Sequence, residues 1–202
     1  MNRKLILALM LTLATTLSFA QDKEEEEEEK SGFKKENLFT GGSIDAVLSN
    51  GTTAFGVSPF FGYSVIRWLD VAASLNFNYI SQRDPYSSAK ARQTIIGPGA
   101  LVRVFPIKEV FFQAQYEHNF IREKYMDGYG GSYIQKYEAN SLLVGGGYAS
   151  GRSRNNDPYY FVSILVDVLS NSSSPYRDAY GRVVPIYRAG IVVPLFQGKS
   201  KR

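Results

Sequence analysis

One histidine stands in the chain, His118, and it sits next to Glu117; there is no cysteine. A histidine beside a carboxylate is the start of a general-base pair, and with a serine it would support ester hydrolysis. Here the residue two positions on is Phe120. If the segment is a strand, neighbours point to opposite faces, so Glu117 is not placed to orient the imidazole. Three further acids, Asp84, Asp127 and Asp178, fall in three separate polar stretches. Loop carboxylates of this kind can meet a divalent ion or a sugar, but their spacing defines no ligand set. No Cys/His grouping of the sort that holds zinc is present. The glycine-rich stretches IGPGA and LLVGGGY do not open a helix, as a phosphate-binding loop must. They suit close strand approach or sharp curvature instead. The expectation is a chain that is not an enzyme, with no catalytic residues, no metal and no cofactor.

The elements that carry these residues read as strands. In LDVAASLNFNYI (69–80), Val71, Ala73, Leu75, Phe77 and Tyr79 alternate with Ala72, Ser74, Asn76 and Asn78. That is period-two patterning. It recurs in GSIDAVLS (42–49) and TTAFGVSPFFGYSV (52–65), joined at Asn50-Gly51, a tight-hairpin signal. RQTIIGPGALVRVF (92–105), VFFQAQYEHNFI (110–121), QKYEANSLLVGGGYA (135–149), YYFVSILVDVL (159–169) and VPIYRAGIVVPLF (184–196) continue it. Pro59 gives up a ladder hydrogen bond and predicts a bulge in the second strand. Eight strands result. Their connections alternate between short (Arg67-Trp68, Pro106 to Lys108) and long and polar (SQRDPYSSAK, EKYMDGYGGS, SNSSSPYRDAYGR). Two joints depart from that rhythm: Asn50-Gly51 is short where a long loop is due, and SGRSRNNDP is long where a turn is due. After residue 20 no segment has 18 unbroken apolar residues, whereas a strand needs only about 9 to 11 to cross a bilayer. The fold class expected is all-β: an eight-stranded antiparallel up-and-down transmembrane β-barrel over residues 38–196.

The strand charges indicate which face is wet. Opposite the apolar face the alternation collects Asp45, Arg103, Glu117, Lys136, Glu138, Asp167 and Arg188. A basic residue facing lipid at mid-depth would cost about 2 to 4 kcal/mol. Inside an eight-stranded cylinder there is only room for side chains to fill, so these seven residues are expected to form a lumen charge network that plugs the barrel. Tyr63, Trp68, Tyr79, Tyr116, Tyr133, Tyr137, Tyr148, Tyr160 and Tyr187 lie near strand ends or on outward phases, where an apolar ring with a polar tip suits a membrane interface.

The ends fit an exported protein. MNRKLILALMLTLATTLSFA combines a basic head, an apolar stretch and a small-x-small site, which reads as a signal peptide over 1–20. Residues 21–37 contain six consecutive glutamates, Glu24 to Glu29, and read as an acidic disordered spacer. From residue 37 onward there are 17 Lys and Arg against 11 Asp and Glu. These charges are scattered rather than clustered on a helix, which suits an anionic membrane surface better than nucleic acid. Residues 197–202 form a short tail.

The segment LFTGGSIDAVLSNGTTAFGVSPFFGYSVIRWLDVAASLNFNY, with Gly41-Gly42, Ser58-Pro59 and Gly62-Tyr63, and the closing YRAGIVVPLF resemble small outer-membrane β-barrel domains of the OmpA/OmpX-like type, particularly those of Bacteroidetes-like bacteria. The resemblance covers about residues 38–196. It implies residence in the outer membrane of a Gram-negative bacterium, as a monomer among outer-membrane lipids including lipopolysaccharide. It also implies insertion by the outer-membrane assembly machinery, with Phe196 as the terminal aromatic although QGKSKR follows it. A structural or surface-interaction role follows, with an extracellular ligand reached through the loops. A lipid-modifying outer-membrane enzyme and a soluble lipocalin-like periplasmic binding barrel are the alternatives.

Overall fold

The computed structural model describes residues 33–49, 52–83, 89–127, 129–152, 157–169, 171–178 and 181–196. The expected signal peptide, the glutamate run, the Asn50-Gly51 turn, Asp84 and the tail after Phe196 lie outside these residues. Contacts divide the chain into Met1–Phe33 and Lys34–Arg202, and every strand described below belongs to the second unit.

After a short 3₁₀ turn at Lys35–Asn37, where a disordered spacer had been expected to end, come β1 (Leu38–Ser49), β2 (Thr52–Ile66), β3 (Leu69–Arg83), β4 (Lys90–Ile107), β5 (Val110–Met126), β6 (Ser132–Ala149), β7 (Tyr159–Asp167) and β8 (Ile186–Pro194). Each pairs antiparallel with the next, and β8 returns to β1 with Arg188 opposite Asp45, closing the barrel as expected from the sequence. Closure removes the free edges that an open sheet would expose. The strands are tilted, as an eight-stranded barrel requires. A register path from Phe39, at one end of β1, runs through Gly62, Ala72, Leu101, Gln115 and Leu143 to Asp167, at the far end of β7.

Alternation decides the two faces. In β7, Tyr159, Phe161, Ser163, Leu165 and Asp167 point inward and are buried, while Tyr160, Val162, Ile164 and Val166 point outward. The outward apolar side chains stand open: Tyr160 is 67% exposed, Phe112 61% and Phe55 58%.

The lumen is layered. Along β3 the inward residues run Ala72, Ser74, Asn76, Asn78, Ile80, and along β5 Phe111, Gln113, Gln115, Glu117, Asn119, Ile121. A polar band thus lies between two apolar plugs. One plug holds Ile80, Ile95, Ile121, Leu143, Leu165 and Ile186; the other is built on Phe39, Phe60, Phe105, Phe111 and Phe161. Four of these rings have a glycine as register partner: Phe39 opposite Gly62, Phe60 opposite Gly41, Phe111 opposite Gly147, Phe161 opposite Gly190. In each case a Cβ on the glycine would run into the ring. The rings lie over the bare backbone of the neighbouring strand, an arrangement that shields glycine and fixes register.

Three expectations are corrected. Pro59 makes no bulge: the β2–β3 register is the same on either side of it, from Val57↔Phe77 to Phe60↔Ser74, and the shift falls at Ser64/Ile66, beside the turn. Pairing of Pro59 with Gly42 on β1 holds the strand through the missing donor. The polar stretches after β3 and β5 are strand at their ends rather than loop throughout, since β3 runs to Arg83, β4 starts at Lys90, β5 runs to Met126 and β6 starts at Ser132. Tyr137 turns inward, where its hydroxyl donates to Glu123 at 3.1 Å, and does not belong to the outward aromatics.

Candidate functional site: the charged interior and the outer face

Five of the seven residues assigned to the lumen from sequence point inward and are buried: Asp45, Arg103, Glu117, Asp167 and Arg188. Four belong to one connected network. Arg188 is its hub. Its Nη1 donates to Gln115 Oε1 at 2.6 Å and its Nη2 to Glu117 Oε1 at 3.2 Å. Its Nε lies 3.0 Å from Asp45 Oδ1 without the alignment of a hydrogen bond, so that contact is coulombic. Asp45 also accepts from the hydroxyls of Ser43 and Ser58. Gln115 Nε2 donates to Glu117, Ser74 and Asn76. Gln113 then links Gln115 to Arg103, whose Nε donates to Gln113 Oε1 at 2.8 Å. Two carboxylates and two guanidiniums balance in this chain, and amides and hydroxyls take up the remaining valences, which is what buried charge needs.

Arg103 has a different environment from Arg188. Its guanidinium carbon lies 4.2 Å from the Phe161 ring centroid, 5.0 Å from Phe60 and 5.1 Å from Phe111. It is held in an aromatic box, not by a carboxylate in contact. Arg103→Leu keeps the apolar packing and strands no partner acid. The loss expected is therefore that of the cation–π contacts, the hydrogen bond to Gln113 and the contact with the Tyr159 hydroxyl, about 1 to 2 kcal/mol. Urea unfolding of the purified barrel in detergent, followed by fluorescence of the lone Trp68, measures it.

Asp167 stands apart from the hub. Its Oδ1 accepts from the backbone N–H groups of Leu142 and Leu169, both at 3.0 Å, and its Oδ2 from Ser174 Oγ. It anchors the β7–β8 connection, which folds back into the barrel mouth. From there Tyr176 Oη donates to Glu117 Oε2 at 2.6 Å. Burial, and then the neighbouring Glu117 carboxylate, push the Tyr176 phenol well above its usual range, so it stays a protonated donor.

Lys136 and Glu138 are corrected. Both lie on the outer face of β6 and are exposed. On that strand the inward positions are Tyr137, Ala139, Ser141 and Leu143. Glu138 instead meets His118 Nε2 at 3.4 Å, and His118 Nδ1 lies 2.6 Å from Asn140 Oδ1. His118 faces outward and packs edge-on against Phe120, so it contacts Glu138 and not Glu117. Among the described residues no group of three His, Cys, Asp or Glu is placed to hold a metal ion.

Three interior residues escaped the sequence reading. Asp70 is buried at the start of β3 and pairs with Arg152 Nη2 at 2.7 Å. Arg152 comes from the connection after β6, whose length is out of step with the other turns at that end. It reaches back to lie 4.1 Å from the Phe105 ring. The anomalous length of SGRSRNNDP was the available signal. Tyr176 carried no signal of its own, because nothing local reveals that a loop tyrosine enters the lumen.

No protein-family model matches the chain, and no curated protein does. Solved structures do resemble it. The attachment invasion locus protein Ail of Yersinia pestis, in complex with the heparin analogue sucrose octasulfate, is 11% identical, covers 77% of this chain and 94% of its own, and gives a TM-score of 0.47. Neisserial surface protein A is 15% identical over 78% of this chain and 96% of its own, with a TM-score of 0.42. The translocator domain of the autotransporter NalP from Neisseria meningitidis is 10% identical over 93% and 96%, with a TM-score of 0.41. At these levels the likeness is one of barrel architecture.

Proposed function

We propose that the chain is an integral outer-membrane β-barrel of a Gram-negative bacterium, of the small OmpA/OmpX-like kind, with a plugged lumen and a structural or surface-interaction role. The observation that carries this reading is the inversion of its faces. Exposed Phe, Tyr, Val and Ile ring the outside, while Asp45, Arg103, Glu117 and Arg188 are sealed within. A protein in water buries its apolar face; one in lipid turns it outward. No helix among the described residues is long and apolar enough to cross a membrane.

In this reading the N-terminal twenty residues direct export and are removed, and the acidic run spaces the barrel from that site. The assembly machinery inserts the strands among outer-membrane lipids. The hairpins of β3–β4 and β5–β6 and the β7–β8 connection face outside, where a ligand would be met. The outward, half-exposed position of His118 gives an enzyme no enclosed site, and a lumen filled by two apolar plugs and a polar band leaves a lipocalin-like ligand no seat.

Fractionation and heat-modifiability on a gel test location and closure together. The folded barrel is expected in the detergent-extracted outer-membrane fraction, with a mobility that changes on boiling; recovery in the soluble fraction without detergent would overturn the reading. The plug predicts no steady conductance from the purified protein in planar bilayers. Large, reproducible single-channel steps would mean an open pore.

A further inference from the structure

The strongest charged feature outside the lumen is on the outer face of β4, β5 and β6. Arg92 on β4 is the direct register partner of Lys124 on β5. One step down the same face, Arg122 on β5 is the direct partner of Lys136 on β6. All four side chains are exposed and share the outward phase. Like charges directly opposite each other on a sheet are destabilising, yet here two such pairs are stacked. The nearby acids do not neutralise them: Glu138 meets His118 at 3.4 Å, and Glu123 lies on the other face, accepting from Tyr137. Among the described residues none of the four bases takes part in an ion pair.

Position identifies the anion. The next outward row below Arg122 is Ile96 and Phe120, with Phe77 beside them on β3, and all three are exposed. The basic block therefore begins where the apolar band ends, at the end of the barrel with the extended hairpins. A lipid whose tails lie along that band would bring its headgroup level with the four bases. Arginine pairs are well suited to phosphate, through parallel N–H donors.

We propose that Arg92, Lys124, Arg122 and Lys136 form a binding site for the phosphate groups of an anionic lipid headgroup, held against the outside of the β4–β6 sheet. The inference rests on the membrane-barrel reading above and gives it a specific lipid contact. The bound phosphate offsets the repulsion within the two base pairs, so the patch is a site that is costly when empty.

The test uses the purified full chain refolded into phosphatidylcholine vesicles containing either bisphosphorylated lipid A or the same glycolipid with its phosphates removed. Wild type and the double variant Arg122→Gln, Lys136→Gln are compared by urea midpoint and by the amount of glycolipid retained on re-extraction. Wild type should retain the phosphorylated form at least tenfold better than the dephosphorylated one, and the double variant should lose that preference. In phosphatidylcholine alone the double variant should unfold at the same urea concentration as wild type or a higher one, a result that a merely structural role for these bases would not give. Equal retention of the two glycolipids, an unchanged preference in the variant, or complete displacement by inorganic phosphate would overturn the site. Failure of the wild-type chain to insert into any vesicle would overturn the membrane reading itself, whereas insertion without discrimination overturns only this inference.

Discussion

Arg188→Leu is expected to lower the stability of the barrel by about 3 to 5 kcal/mol, because it leaves two buried carboxylates without their cation. Asp45 is 3% exposed and Glu117 0%. Both contact the Arg188 guanidinium, at 3.0 and 3.2 Å. Asp45 would keep its two serine hydroxyls, and Glu117 would keep Tyr176 and Gln115. Those neutral donors reduce the cost without replacing the charge. The measurement is the urea midpoint in detergent, with the slope checked for two-state behaviour. A second variant separates stranded charge from lost packing: Arg188→Leu combined with Asp45→Asn and Glu117→Gln removes the uncompensated acids and should recover a clear part of the loss. If the single variant matched wild type, the network would be a passenger in the lumen rather than a support. The contrast with Arg103→Leu is part of the expectation, since Arg103 sits among phenylalanines and its nearest acid, Asp70, keeps Arg152.

The barrel itself was legible because alternation holds wherever one face meets lipid and the other the lumen. Strands β2, β3, β5 and β7 keep that contrast along most of their length, so both their phase and their inward residues could be read. Strand β6 could not be read in this way. Leu142, Leu143 and Val144 are apolar on both faces, and Gly145, Gly146 and Gly147 mark neither. Above them the outer face carries Asn140, Glu138 and Lys136, because the strand has climbed past the apolar band and its outward side no longer has to be apolar. A rule that puts charge inside then assigns Lys136 and Glu138 to the wrong face. Register would have corrected it: Glu117 is inward, and its partner on β6 is Ser141, which fixes every odd-numbered residue of that strand as inward. The interior partnerships were not legible at all. Arg188 meets Glu117 across 71 residues of chain and Tyr176 meets it across 59, and such pairings are set by closure and by the path of a loop, not by local pattern.

The adjacent glycines of β1 should respond in opposite ways to the same substitution. Gly41 faces the lumen opposite Phe60, and a Cβ there would collide with the carbonyl oxygen of Ile191 on β8 and lie 2.5 Å from the Phe60 ring. Gly42 faces outward, where a Cβ would lie 3.7 Å from Pro59 Cα and 3.8 Å from the Ser58 carbonyl oxygen, in ordinary contact. Valine at position 41 has to push apart the β1–β8 seam that closes the barrel and unseat a ring that packs on Phe39 and Phe161. Overpacking of a filled core costs about 1 to 3 kcal/mol, and a collision with backbone as well as a ring belongs at or above the top of that range. Valine at position 42 meets only open outer face and gains the strand preference of a β-branched side chain. Gly41→Val should therefore refold poorly, with most of the protein running at its unfolded position on an unboiled gel, while Gly42→Val should refold as wild type does or better. Adding Phe60→Ala to Gly41→Val would relieve the ring but not the Ile191 carbonyl, so only partial recovery is expected. Equal refolding of the two single variants would mean that the rings do not lie over the glycines, and the aromatic plug would have to be rebuilt with a different register.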